Sequence, residues 1–324
     1  MKDIYITQNG QLKRKDNSLI FSNEKTRNLI PVKNISSIYA FGEIEINSKL
    51  LSFLAQMQIS VYFYNYFGFY AGVFAPRQEL VSGNLLIKQV EHYKDNSKRL
   101  EIAKEIIQGA RHNMRKTLMQ YEISKPAERF EEYEEDVKNA SDINKLMLIE
   151  ANMRQYYYKQ FNLILKNPDF EFIMRVKQPP DNFINTLISF GNSLLYTTTL
   201  SEIFKTQLNP LISFLHEPFE RRYSLNLDLA EIFKPLIVDR VIFTLINKQM
   251  IKIEHFNKEL NYCYLNENGR KIFLREYDSK INQSLNYPSL GRKVSYRYML
   301  RLEAYKLIKH ILEGKDYKAF KIYW

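Results

Sequence analysis

FGFYAGVFAPRQELVSGNLLIKQVEHYK, residues 67–94, contains the change of pattern that decides the fold. Up to Pro76 the chain consists of short runs rich in β-branched and aromatic residues, as strands prefer. Beyond Pro76 apolar residues recur with a period of 3.6, and long amphipathic segments run almost to the end. Upstream, Ile4, Tyr5 and Ile6 precede Asn9-Gly10, a signal for a type I′ hairpin, and Asp16-Asn17 predicts a second turn before LIFS. Ser37 to Phe41, Ile59 to Tyr64 and Phe69 to Phe74 read as further strands. Between them Asn47 is placed to cap a helix reaching Met57, with Leu50, Leu51 and Leu54 on one face. Downstream, Gln89 to Met119 reads as a long helix broken near Gly109, followed by helices over Asp142 to Leu165, Asp181 to Phe204 and Asp228 to Lys248. ERFEEYEED (128–136) is a loop or a solvated helix, and YCYLNENGRKIFL (262–274) reads as a hairpin with a glycine turn. The expected class is α+β: a small, mainly β domain over residues 1–80, then a larger, mainly α domain over 81–324.

The 324 residues carry 47 Lys+Arg against 36 Asp+Glu, a net charge of +11 that modestly favours a polyanionic partner. Residues 270–324 alone hold 13 basic and 5 acidic residues. There Arg297, Arg301 and Lys309 recur at helical spacing among Tyr296, Tyr298 and Tyr305, as a phosphate-contacting or merely solvated face would. The single Cys263 cannot form an intrachain disulfide and reads as a packing residue in a reducing compartment. The most apolar stretch, Phe53 to Ala75, is interrupted by Gln56, Gln58, Ser60 and Asn65, so no membrane span is expected. The N-terminus lacks the cationic and apolar regions of a signal peptide, which points to a soluble, cytoplasmic protein.

Four positions could carry chemistry. Glu150 falls near the centre of an apolar helical stripe made by Ile143, Leu146, Met147, Tyr157, Phe161 and Leu165. A carboxylate placed there must protonate, pair or bind a cation, and Arg154, four residues on, offers a purely structural partner. His216 ends an apolar run, Asn209 to Leu215, that reads as a short helix stopped by Pro218, and a lone histidine there is more often a packing residue than a ligand. Asp228 and Glu231 share a helix face and could reach one cation, although DLAE is also a capping box with Asp228 as the cap. Carboxylates with an imidazole suit Mn²⁺ or Mg²⁺, and such a cation suits phosphodiester chemistry. The chain has no GxxxxGK[ST] loop, no GxGxxG after a strand, no HExxH and no paired CxxC.

The ordered set LIEANMRQYYY (148–158), FGNSLLYTTTL (190–200), NPLISFLHEP (209–218), SLNLDLAEIFKPLIVDR (224–240) and YLNENGRKIFLREYDSKI (264–281) resembles the CRISPR-associated integrase of the spacer-adaptation complex, the Cas protein numbered one. IYITQNGQLKRKDNSLIF (4–21) extends the resemblance over essentially the whole chain. It implies a metal-dependent DNA endonuclease and integrase of antiviral defence, which inserts spacers into a CRISPR array by attack of a DNA 3′-hydroxyl on a phosphodiester. The implied metal ligands are Glu150, His216 and Glu231, with Asp228 as an auxiliary acid and Arg154 supporting the Glu150 carboxylate from behind. The last ligand is Asp in other branches of the family, so Glu231 reaches one methylene further. Asn192, Tyr196, Arg222 and Lys234 are candidate DNA contacts, weighed against ordinary packing or solvation. The implied partners are double-stranded DNA, a second copy of the chain docked through the β domain, and a small companion adaptation protein. The aromatics of residues 61–74 could form such an interface or fill the local core. The rival readings are a non-catalytic nucleic-acid-binding scaffold and a branched-DNA nuclease that does not integrate.

Overall fold

In the computed structural model, which describes residues 2–77, 80–177, 179–220, 222–260 and 262–323, the period-two segments form two four-stranded sheets. The chain runs through β1 (Lys2–Ile6), β2 (Gly10–Lys15), β3 (Ser18–Ser22), β4 (Arg27–Pro31), β5 (Ile35–Ala40), β6 (Ile44–Glu45), α1 (Ser48–Gln56), β7 (Ser60–Tyr64) and β8 (Tyr70–Phe74). One sheet has the order β1-β5-β7-β8, parallel except for the β7–β8 hairpin. The other has the order β4-β3-β2-β6, antiparallel except where β6 joins β2. The Asp16-Asn17 turn forms as read and links β2 to β3. The Asn9-Gly10 hairpin does not. β1 pairs with β5 instead, and the Asn9 side chain accepts the Glu43 N–H at 2.9 Å where the chain passes from one sheet to the other.

Alternation along β5 and β7 gives the first sheet two buried faces. Ile38 and Val61 join Leu12, Leu19, Leu50 and Leu54 in a core shared with the second sheet and α1. Tyr39, Tyr62 and Tyr64 point the other way, into the helical core. Tyr5, Tyr39 and Tyr62 stack in series at 5.2 and 5.3 Å. Of the aromatic run over 61–74, Tyr62 and Tyr64 therefore fill the interior, while Tyr66 and Phe67 stay exposed.

The helical part comprises α2 (Gly83–Lys94), α3 (Asn96–Gln120), α4 (Ser124–Lys138), α5 (Ile143–Lys159), α6 (Phe161–Ile164), α7 (Phe183–Ile203), α8 (Leu225–Phe233) and α9 (Val238–Asn247). The hairpin of β9 (Phe256–Glu259) and β10 (Tyr262–Leu265) precedes α10 (Glu267–Asn282). A second hairpin, β11 (Ser284–Tyr287) with β12 (Arg292–Ser295), leads into α11 (Tyr296–Glu313). The break expected near Gly109 falls at Asp95, whose carboxylate caps α3 through the N–H groups of Ser97 and Lys98. Gly109 sits inside that helix because a Cβ there would lie 2.8 Å from the Ala319 Cβ of the packed C-terminal tail. The hairpin expected around Gly269 lies upstream, and Gly269 is in α10, where a Cβ would meet the His255 carbonyl oxygen at 2.4 Å. The acidic run is the outer face of α4, whose inner face buries Phe130, Tyr133 and Val137. α7 is buried along nearly its whole length and is the hub against which α8, α9 and α11 pack.

An ion network ties the sheets to the helices. Arg297 on α11 pairs with Asp3 on β1 and lies 3.7 Å from Glu202 on α7. Glu202 is also held by Lys205 at 2.8 Å and Arg301 at 2.7 Å. Lys205 in turn donates to Ser36 on β5 at 2.9 Å. Arg297 and Arg301 are thus turned inward, and of the three basic residues expected to form a face on α11 only Lys309 is exposed. Among the described residues, no helix is long and apolar enough to cross a membrane.

Candidate functional site

Asp142 starts α5 by accepting the Lys145 N–H at 2.9 Å, which sets the phase that turns Arg154 and Tyr157 inward. Glu150 lies at the margin of that buried face, its side chain 16% exposed, and accepts from Arg154 Nε at 3.1 Å. The same guanidinium reaches across to α8 and pairs through Nη2 with Glu231, which also pairs with Lys234. One buried arginine therefore bridges two carboxylates that are 81 positions apart in the chain.

α8 is fixed from behind by Asn113 of α3, whose amide donates to the Ile232 and Phe320 carbonyls at 2.8 and 3.1 Å. The segment expected to be a short helix over Asn209 to Leu215 is a chain of turns and bends. Its backbone groups bond to side chains of other elements instead of to a helix. Buried Gln89 on α2 bonds to Asn209 and Ile212, and Arg99 donates to the Phe214 carbonyl at 2.9 Å and to Glu217 at 2.7 Å.

Asp228 closes that segment. The capping-box reading fails because α8 begins at Leu225, which places Asp228 inside its first turn. Its carboxylate instead accepts the N–H groups of Phe214, Leu215 and His216 at 2.7, 2.9 and 3.0 Å, and His216 Nδ1 at 2.8 Å. Four donors fill the acceptor capacity of a carboxylate. The Nδ1 proton is thereby held on the Asp228 side, leaving the Nε2 lone pair unused among the described residues.

Electrostatics tie the pieces together. Burial lowers the basicity of His216, but the hydrogen bond and charge of Asp228, with Glu231 adding to them, raise it above its ordinary value. Burial would protonate Glu231, yet Lys234 and Arg154 hold it down at about 2. Desolvation is the largest single influence on Arg154 and on Lys234, but Glu231 together with the other acidic and phenolic groups around them outweighs it, and both stay charged. Beneath them lies Asp239 in the first turn of α9, where burial pushes its carboxyl up to about 7 against the opposing charges of Arg154 and Lys234. The sequence reading missed Asp239. Its available signal was a lone acid inside the apolar run PLIVDRVIF (235–243), the same kind of signal that singled out Glu150.

Of the candidate DNA contacts, Lys234 is buried, with its ammonium 4.9 Å from the Tyr196 ring centre, which places Tyr196 beside the acids. Asn192, one turn earlier on α7, is buried, and its Oδ1 has no hydrogen-bond partner among the described residues. Arg222 is exposed, 5.8 Å from the ring centre of Phe219, which is itself 71% exposed.

Among the described residues, no three His, Cys, Asp or Glu side chains are drawn into a ready metal-ligating array, and Arg154 and Lys234 hold both oxygens of Glu231. The donor set nevertheless fits a divalent cation: two carboxylates and an imidazole with a free nitrogen, in a cluster where acids outnumber permanent cations.

Residues 4–279 match the family model described as CRISPR associated protein Cas1. The chain is 46% identical to a CRISPR-associated endonuclease Cas1 of Thermodesulfovibrio yellowstonii, over 100% of this chain and 99% of that one. A solved Cas1 protein of Thermotoga maritima superposes with a TM-score of 0.91 at 39% identity, covering 99% of this chain and 100% of that chain. Two more distant structures share the fold. A casposase bound to its integration product gives a TM-score of 0.87 at 20% identity, over 100% of this chain and 95% of the other. A Cas6-RT-Cas1–Cas2 complex gives 0.83 at 18% identity, over 100% of this chain and 36% of the other.

Proposed function

Because the chain belongs to the Cas1 family of CRISPR-associated proteins, we propose that it is a divalent-cation-dependent DNA endonuclease and integrase, joining a DNA 3′-hydroxyl to a phosphodiester of a CRISPR array. The observation that carries the metal-dependent reading is the charge balance of the buried cluster. Glu150, Asp228, Glu231 and Asp239 supply four carboxyl groups, and Arg154 and Lys234 supply two permanent cations. The formal surplus of two acids, eased in part by the protons that Asp239 and His216 can hold, is costly in a buried site unless further positive charge enters.

Glu150, Glu231 and Nε2 of His216 would hold Mn²⁺ or Mg²⁺. When bound, such an ion polarises a phosphate and stabilises the charge that builds up on it during displacement. Asp228 retains the Nδ1 proton and the ring orientation, so that His216 presents a lone pair rather than a proton. Lys234, once it releases Glu231, is a cation at the place where phosphate charge would arrive. Tyr196, Asn192 and Arg222 are the DNA-side candidates around them.

The larger reading assigns residues 81–324 to catalysis and DNA binding. It assigns residues 1–80 to dimerisation and gives the protein a small Cas2-type companion in the cytoplasm. The partner reading is supported by the family and by the Cas2-containing assembly named for one fold neighbour.

The test is Mn²⁺-dependent strand transfer with a repeat-containing target. Glu150→Ala, His216→Ala and Glu231→Ala are each expected to lose on the order of 100-fold or more. Unchanged rates in all three contradict the assignment and leave a nucleic-acid-binding scaffold. A 3′-blocked donor must abolish joining; joining that survives the block contradicts the 3′-hydroxyl step, and cleavage with no joining from a free donor leaves a plain nuclease.

A further inference from the structure

Behind the bridge between Glu150 and Glu231 lies a set of buried polar atoms that bond to nothing among the described residues: Arg154 Nη1, Tyr157 OH, and both oxygens of Asp239. Arg154 and Tyr157 are three residues apart on α5 and so share a face, and Asp239 opens α9 against them. The Tyr157 hydroxyl adjoins the Asp239 carboxyl without making a hydrogen bond of full geometry, and Arg154 is the charge that acts most strongly on that carboxyl. Buried polar groups are seldom left unpaired, and four together indicate an arrangement that has a second state.

The second state follows from the bridge. Arg154 and Lys234 occupy both oxygens of Glu231, and Arg154 occupies one of Glu150, so a cation that takes both carboxylates competes with the guanidinium for them. A guanidinium displaced within the interior must find another carboxylate, because an uncompensated buried charge is among the costliest defects a fold can hold. We propose that Asp239 is a positioning residue for the metal site: it receives the Arg154 guanidinium when a divalent cation takes over Glu150 and Glu231. Nη1, unbonded in the bridged state, is the nitrogen that turns toward it. Arg154 stays buried and paired in either state, while Asp239, without a hydrogen-bond partner in the bridged state, gains one in the other, and the site changes from an arginine-filled to a cation-filled form without exposing Arg154 to water. This rests on the metal-dependent reading of the same site.

The experiment is titration of the full-length protein with Mn²⁺, read by electron paramagnetic resonance of free Mn²⁺, for the parent, Asp239→Asn, Arg154→Met and the double variant, each checked for native melting. Asp239→Asn keeps the shape and removes the acceptor charge, and is expected to weaken Mn²⁺ binding about 10-fold or more. Arg154→Met removes the group that must move and is expected to bind at least as tightly as the parent. In its background the Asp239→Asn penalty should disappear. Equal affinity for parent and Asp239→Asn overturns the proposal, as does an undiminished penalty in the double variant or weaker binding by Arg154→Met alone. A parent that binds no Mn²⁺ would instead overturn the metal-dependent reading itself.

Discussion

Two clusters of buried charge lie in this molecule, and they are balanced in opposite directions. Between the sheets and the helices, Asp3 and Glu202 meet Arg297, Arg301 and Lys205, two acids against three bases. At the mouth of α8, four acids meet two permanent cations and a histidine. In the first cluster the Glu202 side chain is fully buried and each of its oxygens is bonded, as suits a fastening, although Asp3 Oδ1 and Arg297 Nη1 lack a partner among the described residues and the Lys205 and Arg301 side chains are 28% and 26% exposed. In the second, Glu150 and His216 are 16% and 22% exposed, a nitrogen is left free, and Asp239 is unbonded among the described residues. The contrast separates buried charge that holds the fold together from buried charge that waits for a ligand.

Removing one acid from each cluster sharpens this contrast most. Glu202→Ala leaves three bases facing Asp3 alone and should destabilise the protein by about 3–5 kcal/mol in urea unfolding. Glu231→Ala in metal-free protein should have a smaller effect, about 1–2 kcal/mol, because Glu150 and Asp239 remain for Arg154 and Lys234. The opposite order would break the comparison.

The next effect has the reverse sign. The Asp239 carboxyl is held at about 7 in the fold against an ordinary 3.8, so its ionisation opposes folding increasingly as pH rises from about 4 to 7. Asp239→Asn should be nearly neutral at pH 4 and stabilising at pH 8, by at most ~4 kcal/mol for a shift of this size, in metal-free protein. Equal effects at both pH values would show that this carboxyl is not strained.

A smaller effect concerns His216. Its raised basicity means that protonation competes with cation binding, which should strengthen as pH climbs through the His216 value, above 6.5. Asp228→Asn removes the cause, so the midpoint of that pH dependence, followed by Mn²⁺ titration, should move down; a fixed midpoint would deny the coupling. The smallest change is expected at the exposed rim: Arg222→Ala should weaken DNA binding evenly across sequences and flatten the salt dependence by about 0.9 in log–log slope.

Local signals in the sequence are legible where the structure is local. Asn47 and Asp142 start their helices by capping chemistry, and α7 does the same with Asn182, one residue beyond the expected Asp181, accepting the Asn185 N–H. The Asp16-Asn17 turn joins neighbouring strands. The misreadings share a non-local cause. Asn9-Gly10 has the composition of a hairpin, but β1 is claimed by β5. Gly109 and Gly269 have the look of a break and a turn, whereas each is glycine because another chain segment crosses it closely. At the site, Glu150, His216 and Glu231 are readable as an acid on an apolar stripe and as parts of family motifs. That Arg154 bridges both acids, and that Asp228 serves the His216 segment rather than its own helix end, depends on contacts that no spacing within one helix encodes.

The most direct test of the metal site is anomalous diffraction at the manganese edge from crystals soaked in Mn²⁺. The account predicts a peak bounded by Glu150, Glu231 and the Nε2 side of His216, with Arg154 withdrawn from both carboxylates. Saturating Mn²⁺ with no peak there, and Arg154 still spanning Glu150 and Glu231, would contradict it.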